Sequence, residues 1–293
     1  MKPAPFAYEA PTSLEAVRSV LARSSKGARI LAGGQSLVPL LNSRASRPTL
    51  LIDINRASDL GGIDRPGGDL RIGATVRMAE AERSKDVREA CPLLSKTLPW
   101  VANPQVRNRA TIVGNLVFAN RGSELPAVAL ALDALFVIEG TPGAPRHCPA
   151  SEFFRSDGSV DCSPVELVSS VIFPRQAAGA GCAFVEAQRR SAHYALLGVG
   201  AAVVVRGGRV AEARIAMAGA SPFPVRCRSA ESMLVGEVVA PALLTAAASE
   251  AAREATLGAY DDLHATAHYR RAVASEIALR TLAAAVRDAA PEG

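Results

Sequence analysis

The run Leu31-Ala32-Gly33-Gly34-Gln35-Ser36-Leu37 constrains the chain more than any other stretch, because it sets two glycines between the β-like run Arg29-Ile30-Leu31-Ala32 and a fresh apolar segment. A strand that breaks at paired glycines reads as the join of an open α/β layer, where ligands gather at strand ends. Glycine has no Cβ, so consecutive backbone N–H groups can converge on one point and hold an anion. A second turn of the same grammar, Arg109-Ala110-Thr111-Ile112-Val113-Gly114-Asn115-Leu116, follows downstream. Two such cradles suit a pyrophosphate, although a Gly-Gly pair taken alone is as readily a plain turn.

Around these turns the pattern predicts a first helix opening at Pro11-Thr12-Ser13-Leu14-Glu15, with Thr12 as its cap, Glu15 completing a capping box, and Leu14, Val17, Val20 and Leu21 on one face. Strands are expected over 49–54 and 69–74, a loop over 61–68, and helices over 78–84 and 87–98 with Pro92 interrupting. The apolar run Glu124 to Asp133 reads as a buried helix whose N-terminus points at the second cradle, and Val165 to Phe173, which contains Leu167, reads as a strand. The small-residue segment Gln176-Ala177-Ala178-Gly179-Ala180-Gly181 is the expected main boundary. It divides residues 1–175, with subdomains of about 1–57 and 58–175, from a second domain over 182–290. In that second part, strands over 183–189, 196–205 and 210–218 precede helices near 230–235, 241–253 and 269–287, which argues for an α+β fold class.

With 293 residues, 49% of them hydrophobic, the chain can bury the cores of two domains. No apolar run approaches the about 20 residues of a membrane span, and Met1-Lys2-Pro3-Ala4-Pro5 lacks a signal peptide's apolar core, so a cytoplasmic location is expected. The net charge of +5 comes from scattered arginines without interleaved aromatics, the pattern of a solvated surface and not of a nucleic-acid face. Cys91, Cys148, Cys162, Cys182 and Cys227 stand far apart with no Cys-x-x-Cys pair, so they read as reduced core thiols and no metal site is expected. His264 and His268 have the spacing of a helical metal clamp, but the residues between them lack the glutamate of a zinc hydrolase. Gly198-Val199-Gly200 lacks a third glycine and runs into β-branched residues, which marks strand packing. Ser36 has no nucleophile-elbow context, and neither glycine cluster carries a Walker lysine. No residue is assigned a catalytic role, and chemistry here needs an organic cofactor.

Four ordered segments carry a resemblance: 31–39, 107–116, 124–134 and 261–271. Together they resemble the FAD-binding medium subunit of molybdenum hydroxylases, the xanthine dehydrogenase and carbon monoxide dehydrogenase family, over essentially the whole chain. The resemblance implies a two-subdomain FAD-binding region of the vanillyl-alcohol-oxidase type followed by an α+β C-terminal flavoprotein domain. It implies that Leu31, Ala32, Gly33, Gly34, Gln35, Ser36 and Leu37 hold one side of the FAD pyrophosphate, while Thr111, Gly114 and Asn115 close the other. Glu124, Leu167 and Tyr194 would lie near the flavin. The implied partners are a large molybdopterin subunit, a small iron–sulfur subunit and an external electron acceptor. Three departures fall on the implied flavin wall: Val113 where the family has glycine, Phe118-Ala119-Asn120-Arg121 where it has His-Ala-Asp-Pro, so that an acidic position is lost and an arginine gained, and His193 in place of aspartate. A stand-alone flavoenzyme on the same fold, or a scaffold that has lost its flavin, are the alternatives these departures leave open.

Overall fold

The computed structural model describes residues 2–24, 27–140, 143–190 and 194–289. Strands β1 (Ala7–Glu9), β2 (Ala28–Leu31) and β3 (Leu50–Asp53) form a parallel sheet in the order β1-β3-β2. The helices α1 (Leu14–Arg23) and α2 (Leu37–Asn42) are its crossovers. Helix α1 buries Val17, Val20 and Leu21, but its cap is Ser13, not Thr12. The Ser13 hydroxyl accepts the Ala16 N–H at 3.2 Å, and Asp59 takes the Leu14 N–H, which fixes the first turn at Leu14.

The second sheet is antiparallel, in the order β4-β5-β8-β6-β7, and comprises β4 (Ile63–Asp64), β5 (Leu70–Gly73), β6 (Leu135–Glu139), β7 (Arg146–Pro149) and β8 (Leu167–Phe173). Between β5 and β6 the chain runs through α3 (Met78–Arg83), α4 (Lys85–Ala90), α5 (Pro92–Thr97), α6 (Pro104–Arg107), α7 (Ile112–Phe118) and α8 (Glu124–Ala131), and α9 (Ala150–Phe153) follows β7. The stretch expected to be loop over 61–68 holds β4, whose two residues are too few to show a period.

The third sheet has the order β12-β11-β10-β9 and is antiparallel throughout: β9 (Gly181–Ala187), β10 (Leu197–Arg206), β11 (Arg209–Ala218) and β12 (Val225–Arg226). Helices α10 (Arg228–Leu234), α11 (Pro241–Ala255) and α12 (Ala267–Asp288) complete the chain. Residues Leu197 to Val204 of β10 are all buried, because both faces of this sheet are covered. One face, carrying Cys182 and Phe184, joins the core of the first two sheets, and the other packs a second core against α10, α11 and α12. Gly198 is strand packing as its context suggests: a Cβ there would lie 2.8 Å from Cζ of Phe184.

The segment before β9 is held rather than free. Gln176 donates its N–H to Ala90 and accepts the Leu93 N–H, each at 2.9 Å. Asp133, at the end of α8, pairs with both Arg214 and Arg226, and Lys96 pairs with Asp288. All five cysteines are unbonded thiols, four of them buried. His264 lies in the loop before α12 and His268 inside it, both exposed, so the two do not share a helix face. No helix of the described residues is long and apolar enough to cross a membrane.

Candidate functional site

The first glycine turn leaves the end of β2 and enters α2. Gly34 has φ +74°, a backbone conformation that a residue with a Cβ rarely adopts. Gly33 is required for space: a Cβ there would stand 2.4 Å from the Arg109 carbonyl oxygen and 2.7 Å from the Ala110 Cα. The two turns are therefore packed directly on each other. Among the described residues, the backbone N–H groups of Gly33, Gly34, Gln35, Ser36 and Leu37 donate to no protein acceptor. Five adjacent free donors are a ready anion cradle.

The second turn opens α7. Thr111 is its cap, and the Thr111 hydroxyl accepts the Gly114 N–H at 3.1 Å. A Cβ on Gly114 would approach that oxygen to 2.6 Å, so Gly114 enters the site through its missing side chain. Its N–H, expected to face phosphate, is taken by the cap. The side-chain oxygen of Asn115 is buried with no partner among the described residues. Such an orphan needs a donor from outside the chain, since buried acceptors are nearly always satisfied.

A hydrogen-bond chain that the sequence does not reveal ties the turns together. Arg77 donates to the Arg109 carbonyl and to Asn55 Oδ1, each at 2.5 Å, and Asn55 Nδ2 donates to the Ala32 carbonyl at 2.9 Å. Asn55 and Arg77 lie 22 residues apart and carry no motif of their own.

Between the turns lies a cleft of about 850 Å³. Ala32, Gly33, Gly34, Gln35, Ser36, Leu37, Thr111, Gly114, Asn115, Glu124, Leu167 and Tyr194 all line it, and Leu31 does not. Its walls are largely apolar, with Leu40, Val101 and Val106 among the lining residues that belong to neither glycine turn. The size falls within the about 300–1,000 Å³ of small-molecule and cofactor sites.

Glu124 is the first residue of α8 and only 2% exposed. Burial pushes its carboxyl up to about 8. Tyr194 is half exposed; burial and then the Glu124 charge raise its phenol, and the Ser36 hydroxyl partly offsets this.

The departures separate in space. Val113 lines the cleft as the second residue of α7 and carries no positive φ, so its β-branched side chain meets no backbone strain there. Asn120 and Arg121 do not line the cleft: Asn120 Oδ1 accepts the Gly122 N–H at 3.1 Å, and the Arg121 guanidinium stands 5.1 Å over the Tyr260 ring. His193 lies outside the described residues.

Comparison with known proteins gives two family matches in tandem. A family model described as the FAD binding domain in molybdopterin dehydrogenase matches residues 4–176, and one described as the CO dehydrogenase flavoprotein C-terminal domain matches residues 182–285. The 6-hydroxypseudooxynicotine dehydrogenase complex subunit alpha of Paenarthrobacter nicotinovorans is 39% identical over 99% of this chain and 98% of its own length. The structure of carbon monoxide dehydrogenase from Hydrogenophaga pseudoflava superposes with a TM-score of 0.94 at 34% identity, covering 99% of this chain and all of that one. Quinoline 2-oxidoreductase from Pseudomonas putida 86 superposes with a TM-score of 0.91, also at 34% identity, with 99% of each chain covered.

Proposed function

Since the chain belongs to the family of FAD-binding medium subunits of molybdenum hydroxylases, an oxidoreductase family whose cofactor here is FAD, we propose that it receives electrons from a small iron–sulfur subunit and passes them to an external acceptor. Substrate oxidation belongs, in this reading, to a molybdopterin centre in a large subunit. We also propose 1–175 as the cofactor-binding part and 182–290 as the C-terminal domain.

The observation that carries the reading is the pair of turns around one cleft. The free N–H groups of Gly33 to Leu37 suit the anionic diphosphate, and the orphaned Asn115 oxygen suits a donor on the cofactor. Bound FAD supplies a group able to exchange electrons with one-electron and two-electron partners. The chain's own residues hold that group, keep it oriented through the Arg77 and Asn55 bonds, and keep water from it with the apolar walls of Val101, Val113 and Leu167. The scattered cysteines support placing the iron–sulfur clusters on another subunit.

The test is purification of the chain alone and co-expressed with its two proposed partners. FAD, not FMN, is expected on heat release, and its bleaching by the holoenzyme's substrate is expected only when both partners are present. A chain whose flavin is reduced by substrate unaided would overturn the subunit reading.

A further inference from the structure

The segment 261–271 lines no part of the cleft, yet it carries Arg270, a charged side chain only 1% exposed in the first turn of α12. A buried guanidinium persists only where its N–H groups are matched by acceptors. Its Nε donates to the Tyr260 carbonyl at 3.2 Å, one terminal nitrogen donates to the carbonyls of Leu196 and, at 2.8 Å, Gly219, and the other donates to the Asp262 carboxylate at 2.7 Å. The Tyr260 ring covers its face, with the guanidinium carbon 4.3 Å from the ring centroid. Asp262 is fixed in turn by the backbone N–H groups of His264 and Ala265, each at 2.8 Å.

The two carbonyls that Arg270 gathers stand behind the cleft wall. Leu196 lies two residues after Tyr194, and Gly219 follows β11. They are packed on each other: Gly219 has φ +73°, and a Cβ there would stand 2.6 Å from the Leu196 carbonyl oxygen. From this point the contacts cross to the part of the chain matched by the first family model. The Gly219 N–H donates to the Arg121 carbonyl at 2.8 Å, and the Ala195 N–H donates to the Gly122 carbonyl at 3.2 Å. A Cβ on Gly122 would lie 2.6 Å from the Ala195 carbonyl oxygen and 3.1 Å from the Tyr194 Cβ, so the two backbones touch. The Arg121 guanidinium lies over the same Tyr260 ring. Two residues beyond Gly122 is Glu124, which lines the cleft together with Tyr194. Tyr194 is half exposed, so burial does not hold it, and its place depends on the backbone that carries it.

We propose that Arg270 is a positioning residue for the cofactor: by gathering the Leu196 and Gly219 carbonyls it seats Tyr194 on Gly122, and the segment 261–271 thereby sets the cleft wall from behind. The proposal rests on the FAD reading of the cleft. Without the guanidinium, two buried carbonyls lose their donor, and the 194–196 backbone shifts to satisfy them.

The test is a double-variant cycle on the full-length chain, comparing the parent, Arg270→Met, Tyr194→Leu and the two combined by FAD titration of the apoprotein and by the fluorescence of bound FAD. An aromatic ring against the flavin quenches its emission, so that signal reads the seating of Tyr194 apart from stability. Arg270→Met is expected to lower FAD affinity about tenfold and to raise the emission of bound FAD to the level of Tyr194→Leu. The combined variant should bind no more weakly than the weaker single one, because both changes remove the same contact. A merely structural role would lower the melting temperature, leave the emission of bound FAD as in the parent and multiply the two losses of affinity. Parental emission in Arg270→Met, or multiplied losses, overturns the proposal. Where Arg270→Met does not fold, Asp262→Asn carries the test, since it removes the carboxylate on Arg270 and keeps an acceptor for the His264 and Ala265 N–H groups. It should raise the emission by less, and a lower melting temperature with parental emission overturns the proposal. A parent that binds no FAD overturns the reading of the cleft as well.

Discussion

Gly33 and Arg109 meet backbone to backbone, with room for no methyl group: a Cβ on Gly33 would stand 2.4 Å from the Arg109 carbonyl oxygen. The two glycine-bearing turns therefore form one rigid object, and its halves cannot be altered separately.

Gly33→Ala should for that reason be worse than Gly34→Ala. At Gly33 the added methyl meets backbone that cannot step aside, and overpacking of this kind costs about 1–3 kcal/mol, equivalent to about a tenfold to hundredfold loss of FAD affinity. At Gly34 the nearest atoms are the Val38 Cγ2 at 3.2 Å and the Leu31 Cδ1 at 3.4 Å, and the cost is the left-handed backbone, about 1–2 kcal/mol. Thermal melting of both apoproteins with FAD titration ranks them. The reverse order would mean that the turns part easily.

Arg77→Met should loosen the turns without touching the cleft wall. It removes charged donors from the Arg109 carbonyl and from Asn55, each bond being of the about 1.5–3 kcal/mol kind. FAD affinity and apoprotein melting temperature should fall together. Asn55→Ala, which frees the Ala32 carbonyl, the Asp53 carboxylate and the Arg77 contact but leaves Arg77 on the Arg109 carbonyl, should do less. Unchanged FAD affinity in Arg77→Met protein would remove this bond chain from the account of the site.

Asn115→Ala should separate binding from folding. Its side-chain oxygen has no partner to lose among the described residues, so the apoprotein melts at or above the parent's temperature. If the cofactor supplies the missing donor, FAD affinity drops about tenfold, the worth of one good hydrogen bond in a sealed site. Loss of fold with retained affinity would show that the residue is structural.

Val113→Gly, which restores the family's glycine, should weaken the protein and not improve the site. Val113 is 3% exposed inside α7, and glycine in a helix costs about 1 kcal/mol while losing the buried side chain costs about 1.5–3 kcal/mol more. A lower melting temperature with FAD affinity no higher than the parent's is the expected pair of results. A large gain in affinity would mean that valine obstructs the cofactor.

The glycine turns, the buried helix at Glu124 and the strand-then-helix order after residue 181 were legible because each is written in neighbouring residues. Turn chemistry and apolar period are local signals. What stayed hidden was assembled across distance: Arg77 and Asn55 are unremarkable polar residues until the fold sets them between two carbonyls. Arg270 was hidden in the same way, since the Leu196 and Gly219 carbonyls it gathers lie 74 and 51 residues from it in the chain. Val113 shows the opposite error, since a departure from glycine suggests strain only while the residue is pictured in a turn. Once α7 is seen to start at Ile112, it is an ordinary helical side chain.

Trp100 is the only tryptophan in the chain, and its ring centroid lies 6.3 Å from that of Phe184 on β9. Indole emission therefore watches the seam between the first two sheets and the third. Parting of that seam would wet the ring and move its emission to the red, whereas local loosening at Gly33 or Asn115 would leave it unchanged. The protein carries a built-in optical gauge that tells a damaged pocket from a chain whose two halves have come apart.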